Sequence, residues 1–278
     1  MQRLLASAAR LDYHQGMSDT WDDGATYEPY IGRWSRVVAQ HFIDWLALPE
    51  AAAWLDFGCG TGALSQTILA RANPRVVIGC DSSPGYIAYA QSQTSDPRAR
   101  FGLAELPALP RIAGGFDAAV AGLVLNFLPV PLEGVLAMRA RVRPGGTVAA
   151  YVWDYAERME LIRRFWDAAI VLDDTARPLD EAVRFPLCRP EPLALPFLLA
   201  ELRDVVVRSI EVPTVFRSFD DYWTPFLGGQ GPAPGYARSL TSERQVELRE
   251  TIRGRLGRAA DGTIALTARA WAVKGVVA

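Results

Sequence analysis

Trp54-Leu55-Asp56-Phe57-Gly58-Cys59-Gly60-Thr61-Gly62 is a strand running into a glycine turn, and Ala63 to Ala72 carries the chain on as a helix. Glycines let the backbone bend sharply there and let a ligand lie against the turn with no Cβ atoms in the way. The next strand, Arg75 to Cys80, is closed by Asp81, 23 residues after Gly58. A carboxylate in that place accepts hydrogen bonds from a pair of ribose hydroxyls. The geometry suits either a dinucleotide or an adenosine-bearing cofactor such as S-adenosylmethionine. Three details separate them. The glycines are spaced GxGxG, whereas a pyrophosphate fingerprint wants GxGxxG. Asp56, two residues before the first glycine, meets an ammonium group well and repels a pyrophosphate. No second mononucleotide-type unit with its own glycine turn follows in the C-terminal half.

Working outward, strands and helices alternate. Gly85 to Gln93 reads as a helix, and Arg100 to Leu103, Phe116 to Gly122 and Thr147 to Trp153 read as strands, the last preceded by the turn Pro144-Gly145-Gly146. Buried strands that are apolar throughout, joined by helices, predict a parallel sheet with helices on both faces. Upstream, Val38, His41, Phe42, Trp45 and Leu46 fall on one helical face that Pro49 stops, with His41 expected as a packed histidine. Downstream, Met159 to Ile170 is an amphipathic helix, 178–200 is proline-spaced, and Asp204 to Val215 is a strand. Ser218 with Asp221 resembles a capping box opening a short helix. Gly228 to Gly235 reads as a loop, Glu243 to Leu256 as a helix and Thr263 to Val273 as the final strand.

Composition narrows the function. The chain has 278 residues, a formal net charge of −2 and 50% hydrophobic residues, the balance of a soluble globular protein. A wholesale nucleic-acid binder is disfavoured. Lys274 is the single lysine among 29 basic residues, an arginine bias that fits coding composition before phosphate chemistry. Cys59, Cys80 and Cys188 have no CxxC spacing, which argues against a disulfide framework and against a zinc site, and a reducing cytoplasm fits; no metal is expected. The apolar run Ala118 to Leu132 is too short and too broken by proline to span a bilayer. MQRLLASAARLD has too brief an apolar stretch for a signal peptide. No membrane association is expected, and the oligomeric state is not legible.

WLDFGCGTG, the strand ending VVIGCD, the FDAAVAGLVLNF strand and the RVRPGG turn together resemble a class I S-adenosylmethionine-dependent methyltransferase of the type-11 group, which includes ubiquinone and menaquinone biosynthesis methylases. The likeness runs from about Tyr27 to Trp153, and the leader YEPYIGRWS resembles a further element of that group. It implies a Rossmann-like, doubly wound, mostly parallel seven-stranded sheet with a final antiparallel strand and helical lid insertions. The implied division is a mobile extension over 1–26, a lid helix over 27–50, a cofactor-binding core over 51–153, a helical insertion over 154–203, and sheet completion over 204–278 with a substrate cover at about 216–257.

The resemblance also implies roles. Asp56 and the turn Gly58, Cys59, Gly60 and Gly62 would hold the methionine end of S-adenosylmethionine. Asp81 with Ser82 would hold the ribose, and Ala121 would form the backbone edge near the sulfonium. Where the family often has an aspartate near adenine, Leu103 stands here, so that contact falls to Ala104 or Glu105. Where the family often has histidines after the fourth strand, Asn126 stands, either as a ligand contact or as a turn cap. Tyr30 and Arg33 read as a lid over the cofactor, with Arg33 paired to its carboxylate, or else as a staple with a solvated arginine. Trp153, Tyr222 and Trp223 are the expected substrate contacts, with Asp154, Tyr155 and Tyr222 as possible acids or bases. The implied activity is methyl transfer to a small-molecule acceptor. An NAD-dependent oxidoreductase and a non-catalytic S-adenosylmethionine-binding protein are the alternatives.

Overall fold

The computed structural model describes residues 28–228, 231–257 and 259–278, so the extension expected over 1–26 lies outside the described residues. Seven strands form one sheet: β1 Ala53–Phe57, β2 Val76–Asp81, β3 Ala99–Leu103, β4 Phe116–Gly122, β5 Val142–Trp153, β6 Arg203–Phe216 and β7 Ile264–Val276. Their order is β3-β2-β1-β4-β5-β7-β6. Strands β1 to β5 pair in parallel, whereas β7 runs antiparallel to both β5 and β6. The order reverses between β1 and β4, and at such a switch point an open α/β sheet leaves a crevice beyond its carboxyl ends.

All five residues of β1 are buried, Asp56 among them, which is why the run reads as continuously apolar with one acid inside it. The crossovers are α2 (Ala63–Arg71), α3 (Pro84–Gln93) and α4 (Pro131–Arg139), with α1 (Arg33–Leu46) preceding β1. On α1 the residues Val38, Ala39, Phe42, Ile43 and Leu46 are buried, and the Phe42 ring lies 4.8 Å from that of Tyr151 on β5. Burying a phenylalanine in this way contributes roughly 1.5–3 kcal/mol. His41, expected on that packed face, is exposed at its edge. The turn expected at Pro144-Gly145-Gly146 is absorbed into β5. Gly145 donates to the Val277 carbonyl and Gly146 accepts from the Val277 N–H, both at 2.9 Å, so sheet bonding starts before the turn ends.

After β5 come α5 (Glu160–Leu172), the short α6 (Glu181–Arg184) and α7 (Pro190–Leu199). The proline-spaced stretch is helical because Pro190 stands at the first turn of α7, where no N–H is needed. Between β6 and β7 lie α8 (Phe219–Trp223), α9 (Pro232–Ser239) and α10 (Ser242–Arg255). The loop expected over Gly228 to Gly235 ends early, since Pro232 again opens a helix. The Ser218 hydroxyl accepts from the Asp221 N–H at 3.2 Å, the cap its sequence predicts. The two insertions share an aromatic core. Phe165 stacks on Phe226 at 4.6 Å, Trp166 meets Tyr236 at 5.5 Å, and Tyr30 meets Phe226 edge-on at 5.4 Å.

Candidate functional site

The turn after β1 is fixed from below. Gly58 and Cys59 both donate to the Cys80 carbonyl, at 2.8 and 3.0 Å, so β2 anchors the start of the turn. Gly58 and Gly60 have φ of +67° and +51°, in the left-handed region that favours glycine. A Cβ on Gly58 would stand 2.5 Å from a Val124 methyl, whereas one on Gly60 would meet nothing within 4 Å. The turn is closed on the side of β4 and open above Gly60.

Two carboxylates flank that opening. Asp81 accepts from the Gly60 N–H at 3.0 Å with one oxygen and from the Ser83 N–H at 2.9 Å with the other, which leaves lone pairs on both. Asp56 is fully buried. Its Oδ2 accepts from the Ser65 hydroxyl at 2.7 Å, while Oδ1 has no hydrogen-bond partner among the described residues. Burial pushes the Asp56 carboxyl up to about 7, against the Ser65 hydrogen bond that pulls it down, and the Asp81 charge adds to the rise. Burial also holds the Cys59 thiol well above its usual range, so Cys59 is a packed thiol and not a nucleophile.

These groups open into one cavity of about 630 Å³. Of the residues expected at the site, Asp56, Gly58, Cys59, Gly60, Asp81, Ser82, Ala104, Glu105 and Trp153 line it. Gly62 sits beneath the turn, its missing Cβ directed at Ala90. The Ala104 N–H is taken by the Asp81 carbonyl at 3.0 Å, which leaves Glu105 as the carboxylate at that end. Leu103 is 60% exposed and outside the lining.

Other expected residues lie behind the wall. Ala121 is buried within β4, and the wall beyond it is Gly122, Leu123 and Val124, with Leu123 turned to φ +63°. Asn126 is half-buried outside the lining, with its Nδ2 buried and unpartnered. Tyr30 is buried against Phe226, and the residues of its segment that reach the cavity are Ile31 and Ser35. Arg33 is paired with Asp221 at 2.9 Å in place of the cofactor carboxylate, and its guanidinium stacks over Trp34 and Phe216 at 4.6 and 4.9 Å. Tyr222 and Trp223 lie in the insertion core, where the Tyr222 hydroxyl donates to the Leu161 carbonyl at 2.9 Å. Burial holds that hydroxyl far above its ordinary range, which removes it as a base. Asp154 is ion-paired with Arg269, whose Nε donates to it at 2.6 Å. Phe127, Tyr151 and Tyr155 complete an aromatic wall with Trp153. Trp153 and Tyr155 are among the residues expected from the sequence, whereas Phe127 and Tyr151 are not.

The cavity fits S-adenosylmethionine on its own chemistry: an orphaned buried carboxylate oxygen for an ammonium, open space over Gly60 and spare lone pairs on Asp81. The comparisons agree. Residues 55–146 match the family model of the methyltransferase domain. Over 146 residues the chain is 29% identical to a trans-aconitate 2-methyltransferase of Variovorax paradoxus, covering 52% of this chain and 55% of that protein. Over 123 residues it is 32% identical to a ribosomal protein L11 methyltransferase of Dechloromonas aromatica, covering 43% and 39%. The fold overlays with a TM-score of 0.56 on phosphoethanolamine N-methyltransferase 2 of Haemonchus contortus, solved with S-adenosylhomocysteine, at 12% identity over 91% of this chain and 56% of that one. The core is a class I S-adenosylmethionine-dependent methyltransferase domain. The chain spans about half or less of the length of the curated relatives it matches. Among the described residues no helix is long and apolar enough to cross a membrane, and no group of His, Cys, Asp and Glu could hold a metal ion.

Proposed function

We propose that this protein transfers the methyl group of S-adenosylmethionine to a small-molecule acceptor. The observation that carries the reading is the Asp56 carboxylate, fully buried on the cavity wall with one oxygen unpaired, beside the open glycine turn. An unpaired buried carboxylate is costly unless a cationic ligand completes it.

In this reading Asp56 takes the methionine ammonium, Asp81 the ribose hydroxyls, and Ser82 and Glu105 border the nucleoside. The backbone over Gly58 to Gly62 supports the chain between them. When bound, the cofactor supplies an electrophilic methyl group on a sulfonium. The protein then has to align the acceptor and exclude water, and the buried wall of Tyr151, Trp153 and Tyr155 suits that task. Three free buried cysteines and a net charge of −2 support a cytoplasmic enzyme without nucleic-acid partners.

The test is a product heavier by one methyl group after incubation with S-adenosylmethionine and a cell extract. Binding of S-adenosylhomocysteine without any such product from a range of extracts would favour a non-catalytic binder. Heat from NAD with none from S-adenosylhomocysteine would restore the oxidoreductase.

A further inference from the structure

Resting on the methyl-transfer reading, we propose that the aromatic end of the cavity is the acceptor subsite, that it takes an uncharged planar acceptor, and that the Trp153 indole N–H orients it. The cavity divides by composition. The ends of β1 and β2 bring the glycine turn and the acids Asp56 and Asp81, whereas the side toward the ends of β4 and β5 is walled by Phe127, Tyr151, Trp153 and Tyr155. Phe185, just after α6, packs its ring 5.1 Å from Phe127 and 5.6 Å from Tyr155, so the first insertion backs this wall. Aromatic walls held in this way make a surface for a flat apolar ring.

Trp153 is 1% exposed, and its indole nitrogen is buried with no hydrogen-bond partner. A buried donor left unpaired is costly, and an oxygen or nitrogen of a ligand removes that cost. The acidic side chains of the lining are Asp56, Asp81, Glu105 and Glu133. No lysine, arginine or histidine lines the cavity among the described residues. A cofactor ammonium neutralises one of the four, so a polycarboxylate meets uncompensated like charge in a partly desolvated space.

The test titrates the full chain, saturated with S-adenosylhomocysteine, with 2-naphthol and with naphthalene-2,6-dicarboxylate, two planar probes on the same ring system, one neutral and one doubly charged. We expect 2-naphthol to bind and the dicarboxylate to bind at least about tenfold more weakly. Trp153→Phe should weaken 2-naphthol by about threefold to tenfold, the range of one neutral hydrogen bond, and leave S-adenosylhomocysteine affinity within about twofold. Equal or tighter binding of the dicarboxylate, no binding of 2-naphthol, or a Trp153→Phe protein indistinguishable from wild type overturns the proposal. The wild-type comparison of the two probes stands even if that variant does not fold. Failure of S-adenosylhomocysteine itself to bind overturns the methyl-transfer reading along with this one, whereas its binding with a failed probe comparison overturns this one alone.

Discussion

Arg33 and Asp221, 188 residues apart, are joined by a guanidinium nitrogen 2.9 Å from a carboxylate oxygen, so the segment before β1 is latched to the insertion between β6 and β7. A second guanidinium nitrogen reaches the Asp221 backbone carbonyl at 3.4 Å. The guanidinium lies over Trp34 and Phe216, and packing and charge act on the same two elements.

The latch is partly exposed, so a double-mutant cycle of Arg33→Ala and Asp221→Ala should give a coupling of about 0.5–1.5 kcal/mol in denaturant unfolding. Burial raises the Asp221 carboxyl, but the Arg217 amide and the Arg33 guanidinium outweigh it and hold it below the usual range. The contribution is therefore full above the unfolded carboxylate value, about 3.9, and disappears as pH falls through the lower folded value. Measured coupling that is unchanged at pH 2.5 would contradict this assignment.

Asp56 should give up its proton when the cofactor product binds. With its carboxyl near 7, Asp56 is mostly protonated at pH 6, and an ammonium beside it favours the charged form. Calorimetry of S-adenosylhomocysteine at pH 6 in buffers of different ionisation heat should report proton release that diminishes as the pH is raised above 7. Asp56→Asn should abolish the release and weaken binding. Because the folded value is raised, the free protein loses stability as pH rises from about 3.8 to about 7, so Asp56→Asn should melt higher than wild type at pH 8.

Gly58→Ala and Gly60→Ala should part company. The first puts a methyl 2.5 Å from Val124 on a backbone at φ +67° and should cost about 2–4 kcal/mol in chemical unfolding. The second meets open space and should cost only about 1 kcal/mol for its left-handed backbone, yet it should weaken S-adenosylhomocysteine binding at least about tenfold. Equal destabilisation by both would mean that the space over Gly60 is not open.

Asp81→Ala removes the acceptor of two backbone N–H groups, those of Gly60 and Ser83, as well as that of the ribose hydroxyls. Stability should fall by about 1–3 kcal/mol and affinity for S-adenosylhomocysteine at least about tenfold. An unchanged dissociation constant in a folded variant would put the ribose elsewhere.

The strand, turn and helix from Ala53 to Arg71 were legible because every residue of β1 is buried and because the glycines sit where left-handed backbone is needed. Helix α4 was not legible, since Pro131, which stands at its first turn, reads along the chain as a break in the apolar run that begins in β4. Helix α9 hid behind prolines that read as loop. The partner of Arg33 lies 188 residues away, and no local pattern announces a contact at that distance. Tyr222 and Trp223 occupy a plausible place in the chain order, but the ring of Phe226 and the carbonyl of Leu161 draw them into the interior. Trp153, on the cavity wall, carries a polar atom that only three dimensions reveal as unpaired.

The stacked rings of Phe165 and Phe226 come from two insertions separated in sequence by the whole of β6. Neither insertion can then be exchanged alone, because a transplant of one would leave half an aromatic core facing water. Diversification of the cover over this sheet has to proceed by matched pairs of changes, one before β6 and one after it, while the turn beside Cys80 stays as it is. A chimera that carries both segments from a donor should fold where either single graft fails, with the cofactor floor undisturbed.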